Sequence, residues 1–196
     1  MKSSKIAKLL ILGVLLVVID QVIKVLVVKN MYLGETIDVI GDWCKLHFTL
    51  NEGMAFGWLS NGVVVKTLLS IFRIVLLVFL CKWIVKLTKD NTTPVGVLIG
   101  LTLITAGALG NLIDCLFYGM AWPEMSEIVV KNAPFSFMYG KVVDMFYFPL
   151  FDYKIFGFKG TFFSPIFNFA DVCVTCGALY LLFFHYKYFS REDFKF

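Results

Sequence analysis

Four stretches of this chain stay apolar for about 20 residues or more, the length that crosses the hydrocarbon core of a bilayer. They run near residues 6–28, 63–87, 94–118 and 167–188, and each is predicted to be a membrane-spanning helix. The first opens with Lys2, Lys5 and Lys8 ahead of its apolar run, as a signal peptide does. No small-residue cleavage site follows, however, and the pattern continues past Asp20 and Lys24 to Val28, which favours an uncleaved span. Two long connections remain, about 29–62 and 119–166, with Gly, Pro, aromatic and charged residues. Runs such as Lys45–Leu50 and Lys154–Phe158 are rich in β-formers, so short strands are expected there. The pattern thus predicts an all-α integral membrane protein, a single membrane domain over residues 1–196, with a small β-structure outside the spans.

Composition agrees with this reading. The chain is 59% hydrophobic and only 16% charged, and its mean hydropathy of +0.82 sets it outside the soluble globular class. The net charge of +4 has its cations at the N-terminus, at Lys82, Lys86 and Lys89, and at Lys187, Arg191 and Lys195. By the positive-inside rule both termini and the short connection after the second span face the cytoplasm, and the two long connections lie outside. No arginine stripe with interleaved aromatics appears, so a nucleic-acid partner is not expected. Five scattered cysteines include Cys173-x-x-Cys176, which lacks a second pair or a His cluster and reads as small apolar packing within a span. His47 and His185 fall in different compartments, and neither a metal site nor a cofactor is expected.

The polar residues that interrupt the spans carry the chemistry. Ionisable groups at or in a bilayer are retained mostly for function or pairing. Asp144 lies just outside a span in Gly140-Lys141-Val142-Val143-Asp144, and Asp171 lies one or two turns into the last span in Phe167-Asn168-Phe169-Ala170-Asp171. Two carboxylates in one low-dielectric site share a proton, which supplies the base and the acid of a hydrolytic dyad. Asn111 and Asp114 share a helix face at the end of the third span, where Ala106 and Gly110 allow close helix approach. They either cross-link helices or contact substrate. Asn168 either caps the fourth span or orients Asp171. Asp20 and Lys24, four apart, read as a structural ion pair. Arg73, near the middle of the second span, needs an acidic partner or a polar cavity, and Asp20 lies at a similar depth. Asn51-Glu52-Gly53-Met54-Ala55-Phe56-Gly57 is by itself a polar turn.

Taken in order, these blocks resemble lipoprotein signal peptidase (signal peptidase II), a family of bacterial membrane aspartyl proteases. The matching residues are Asp20-Gln21-x-x-Lys24, Asn51-x-Gly53-x-Ala55-Phe56-Gly57, Gly110-Asn111-Leu112-Ile113-Asp114, Val142-Val143-Asp144 and Phe167-Asn168-x-Ala170-Asp171. Each block is short, but five in sequence across the whole chain form a specific pattern. The resemblance implies that Asp144 and Asp171 are catalytic. It implies that Asn51, Gly53, Asn111, Asp114, Val142 and Asn168 line or buttress the substrate pocket. The implied substrate is a diacylglyceryl-modified prolipoprotein, cut just before its lipidated cysteine, at a site facing the outer side of the bacterial cytoplasmic (inner) membrane. Contacts with membrane lipids and inhibition by globomycin-type peptides are implied as well, as are a small extracytoplasmic β-structure and a short periplasmic helix.

The chain departs from the family in two ways. The family commonly has Arg after the position of Asp114, where this chain has Cys115, expected near the pocket mouth. The stretches Met120–Gly140 and Phe148–Ser164 are also longer than in the family's compact members. The rival reading is a small proton- or ion-coupled carrier or a membrane scaffold. A relay favours acids spread through the bilayer depth, whereas Asp114, Asp144 and Asp171 gather near one face.

Overall fold

The computed structural model of the protein describes residues 2–51, 63–122, 125, 137–155 and 158–190. Helix α1 (Lys2–Asn30) leads to strands β1 (Thr36–Ile40) and β2 (Cys44–Asn51). Helices α2 (Val63–Lys89) and α3 (Val95–Ile113) follow, and α3 runs on through a π-helical stretch, Asp114–Tyr118, into the short turn α4 (Gly119–Ala121). Strands β3 (Val142–Tyr147), β4 (Phe151–Ile155), β5 (Phe158–Phe162) and β6 (Ile166–Phe167) precede the last helix, α5 (Phe169–Phe189). Four helical segments are long and apolar enough to cross a membrane: Ser4–Asn30, Lys66–Lys89, Val95–Ala121 and Phe169–Phe189. They match the four expected spans to within a few residues at most ends. The short turn α4 closes the third of these segments.

The third span is the centre of the bundle, with α1, α2 and α5 all packed against it. Lipid tails are as apolar as leucine, so close van der Waals packing holds such helices together. Small residues permit that closeness. A Cβ at Gly107 would collide with the backbone carbonyl of Ala170, and with Val174, on α5. We therefore expect Gly107→Val to push α5 away and to lower the melting temperature in detergent by several degrees. A thermal melt equal to that of the parent would contradict this packing. The close approach expected at Ala106 and Gly110 thus centres on Gly107 and Gly110, and a Cβ at Gly110 would meet Asp20 Oδ2 and the Ala170 side chain.

Strands β1, β2, β3 and β6 form an antiparallel sheet in that order, while β4 and β5 pair only with each other. The sheet sits at the end of the bundle where α3 finishes and α5 begins. A cluster of Val27, Met31, Phe48, Tyr118, Val143 and Met145 fastens it to α1 and the π-helical stretch. Residues 142–145 are all buried, because β2 pairs along one edge of β3 and α1 and the π-helical stretch pack against it. The strand expected over Lys45–Leu50 falls within β2. The run Lys154–Phe158 is not one strand: it takes in the end of β4 and the start of β5, which pair antiparallel. β-former composition marks strand-rich sequence but does not say where one strand ends and the next begins.

Candidate active site

Asp144 reaches the site through backbone geometry. In the π-helical stretch the carbonyls of Cys115 and Leu116 accept hydrogen bonds from Gly140 N (3.0 Å) and Met138 N (3.2 Å). The incoming chain passes so close that a Cβ at residue 140 would overlap the Asp114 carbonyl, which requires glycine in Gly140-Lys141-Val142-Val143-Asp144. Strand β3 then pairs Val142 with Asn51 and Asp144 with Thr49. A bulge between Leu46 and Thr49 adds one residue to β2, and Phe48 within it is buried in the core.

Asp171 arrives by helix capping. Asn168 caps α5 by accepting a hydrogen bond from Asp171 N (2.9 Å), and Asp171 Oδ2 accepts one from Asn168 N (3.2 Å), a reciprocal capping box. Asp171 therefore sits in the first turn of the span, nearer its end than the apolar pattern suggested. Asn168 is both the cap and a member of the site, so the two readings of that residue hold together.

Two amides bridge the carboxylates. Asn168 Nδ2 donates to Asp144 Oδ1 (2.6 Å) and to Asn111 Oδ1 (3.1 Å), and Asn111 Nδ2 donates to Asp171 Oδ1 (2.8 Å). Asn51 Nδ2 donates to Asp144 Oδ2 (2.9 Å). Four parts of the chain, β2, β3, α3 and the start of α5, thereby meet in one hydrogen-bonded group. Val142 is buried beside it, 3% exposed. Gly53, and the turn it belongs to, lie outside the described residues.

Behind the amides lies a buried cation. Lys24 is 0% exposed and its ammonium meets Asp114 Oδ2 (2.7 Å), Asp20 Oδ2 (3.0 Å) and Asn111 Oδ1 (2.9 Å), which occupies all three of its protons. The ion pair expected between Asp20 and Lys24 is present. Asp20 Oδ1 also accepts from Ala170 N (2.9 Å), and Asp114 Oδ2 from Val143 N (3.2 Å), so the cluster fixes the backbone beside each of Asp171 and Asp144. Gln21, quoted in the sequence pattern but given no role, donates to Asp114 Oδ1 (3.0 Å), Asp20 Oδ2 (3.1 Å) and the Gly110 carbonyl (3.1 Å). Tyr118 OH in turn donates to Gln21 Oε1 (3.1 Å).

Arg73 meets the end of the third span. Its Nη1 donates to Cys115 Sγ at 2.8 Å. Cys115 is fully buried against α2, not at a pocket mouth, because the π-helical widening turns it inward. Lys66 and Ser70, both buried, lie on the same stripe of α2 as Arg73, seven and three residues before it. That polar stripe is the signal sequence reasoning passed over. Among the described residues no group of three His, Cys, Asp or Glu could hold a metal ion. His47 Nδ1 lies 2.6 Å from Thr36 Oγ1, and His185 Nε2 lies 3.4 Å from Tyr180 OH.

Burial pushes the Asp144 carboxyl up from 3.8 to about 6; the Asn51 amide works against that, the negative charge of Asp171 adds to it, and Asn168 and Lys24 oppose it. The effect on stability has a definite sign. Between about pH 4 and pH 6 the unfolded carboxyl ionises while the folded one still holds its proton, so stability falls across that window and the deficit persists above it. Asn cannot ionise. Asp144→Asn is therefore expected to gain stability relative to the parent as pH rises from about 4 to 6, by up to about 3 kcal/mol. Parallel melting curves of the two proteins across that range would contradict it.

Comparison with known proteins follows the same residues. Residues 12–187 match the family model described as Signal peptidase (SPase) II. A lipoprotein signal peptidase of Porphyromonas gingivalis is 39% identical, over 86% of this chain and 78% of that protein. One from Amoebophilus asiaticus is 37% identical, over 89% and 76%. A solved bacterial membrane enzyme, determined by the in meso method at 2.3 Å resolution, superposes with a TM-score of 0.62 at 26% identity, covering 97% of this chain and 94% of its own.

Proposed function

The chain belongs to the signal peptidase II family of membrane proteases, and on that premise we propose that Asp144 and Asp171 are the aspartyl pair of a prolipoprotein signal peptidase. The observation that carries the reading is the bridge from Asp144 through Asn168 and Asn111 to Asp171. Membership of a protease family sets the carrier reading aside.

In the reacting state one carboxyl of the pair is protonated and the other ionised, and burial raises the Asp144 carboxyl. The ionised partner takes a proton from water as it attacks the scissile carbonyl, and the protonated one donates to the carbonyl oxygen. Each carboxyl oxygen accepts a hydrogen bond that fixes its direction: from Asn51 and Asn168 on Asp144, and from Asn111 and the backbone of Asn168 on Asp171. Each oxygen has a second lone pair with which it can meet water or substrate. Asn111, Asp114 and Asn168 act in this scheme as positioning residues. Asp114 works through Lys24 and the amide of Val143.

The substrate is a diacylglyceryl-modified prolipoprotein, cleaved immediately before the modified cysteine. Its acyl chains lie along the lipid-facing helices, where each buried methylene contributes about 0.8 kcal/mol. A short polar motif then suffices for specificity. The site lies at the outer face with both termini cytoplasmic, in keeping with the lysines of α2 at Lys82, Lys86 and Lys89.

The test is to incubate the purified protein with a synthetic diacylglyceryl prolipopeptide and weigh the products. A fragment beginning at the modified cysteine is expected, with no cut in the unmodified peptide. Cleavage elsewhere, or equal cleavage of both peptides, would sink the substrate assignment.

A further inference from the structure

We propose that the β4–β5 hairpin is an interfacial anchor whose aromatic face rests in the headgroup zone of the same bilayer that the four spans cross. Strand alternation and register put Phe151 and Tyr153 on one face, opposite Phe162 and Gly160. The Phe151 and Phe162 rings stack at 4.8 Å and 9°. The Tyr153 ring lies over Gly160, where a Cβ would meet its hydroxyl at 2.7 Å. The opposite face is polar, with Thr161 Oγ1 donating to Asp152 Oδ1 (2.7 Å).

This aromatic face is open: Phe151 is 57% exposed and Phe162 50%, with Leu150 and Phe163 exposed at the hairpin's base. A two-stranded sheet with an uncovered apolar face is marginal in water, so it needs a surface to rest on. One observation says which: the base of the hairpin is tied to the membrane boundary. The Phe163 ring lies 6.1 Å from that of Phe167, and Phe167 is two residues before the first residue of the span α5. Aromatic residues are favoured at that depth, where their rings meet the headgroups.

The experiment uses the full chain with its five cysteines replaced by serine, reconstituted in vesicles of phosphatidylcholine and phosphatidylglycerol. An environment-sensitive fluorophore is attached in turn at Tyr153→Cys, Phe162→Cys and Asp152→Cys, and quenching by headgroup-nitroxide lipid is measured. Quenching at positions 153 and 162 is expected to exceed that at 152 by several-fold. Equal quenching at all three positions would overturn the proposal. So would shielding at 153 and 162 that follows protein density instead of quencher lipid, because it would put a second copy on this face.

Discussion

Replacing Lys24 with methionine is expected to destabilise the protein by about 3–5 kcal/mol, the largest loss of stability from any single change in the bundle. Methionine keeps most of the volume but removes the ammonium that meets both Asp20 and Asp114. Those carboxyls are 1% and 0% exposed and would be left facing each other without the cation between them. Breaking a buried ion pair from one side is far costlier than replacing both sides, because the stranded charge has lost its water as well as its partner. A second effect follows from the same contact. Lys24 donates to Asn111 Oδ1, which makes Asn111 present its Nδ2 to Asp171. Without that restraint the amide is free to turn over, and the surviving folded fraction should cleave more slowly. Lys24→Met combined with Asp114→Asn should recover part of the lost stability, since fewer charges are stranded. Thermal melts in detergent at neutral pH check both statements, and a single variant as stable as the parent would refute the first.

The spans were legible in the sequence because the bilayer imposes one long apolar run per crossing, a constraint that leaves little room for alternatives. The residues of the site were legible for a related reason. Asp20, Lys24, Asn111, Asp114, Asp144, Asn168 and Asp171 are costly in or beside hydrocarbon, so each calls for an explanation. Which of them touch was not legible. Lys24 reads locally as the partner of Asp20 alone, yet its shortest contact is to Asp114 on another span. Strand β3 escaped notice because both of its faces are covered. Val142, Val143, Asp144 and Met145 are all buried, so no alternation marks them as a strand. Cys115 was expected at a pocket mouth because the helix was extrapolated as regular. The π-helical stretch shifts the positions that follow Ile113, and no local sequence signal reports that shift. Lys66 and Ser70 were visible as polar breaks in α2, and only their spacing to Arg73 showed that they form one stripe.

The largest effect on activity is expected at the aspartates. Asn preserves the shape of Asp144 and can still accept from Asn51 or Asn168 through its one carbonyl oxygen, but it can neither carry the shared proton nor ionise. The same holds for Asp171 and its bonds to Asn111 and the Asn168 backbone. General acid–base catalysis is worth about 10²–10⁴-fold, and in a dyad both functions depend on each carboxyl. Loss of either should therefore remove nearly all cleavage. Stability should move the other way for Asp144, because burial of its charge is what raises its pKa. A variant that is inactive yet as stable as the parent or more so separates a chemical role from a structural one. Lys24→Met, by contrast, should lose stability first.

Single-turnover cleavage of a diacylglyceryl prolipopeptide by purified Asp144→Asn and Asp171→Asn, each shown by thermal melting to be folded, tests the central claim most directly. Both rates are expected to fall by at least about 10²-fold below the parent, with substrate still bound. Cleavage by either folded variant within a few-fold of the parent would contradict the assignment of these two residues as the catalytic pair.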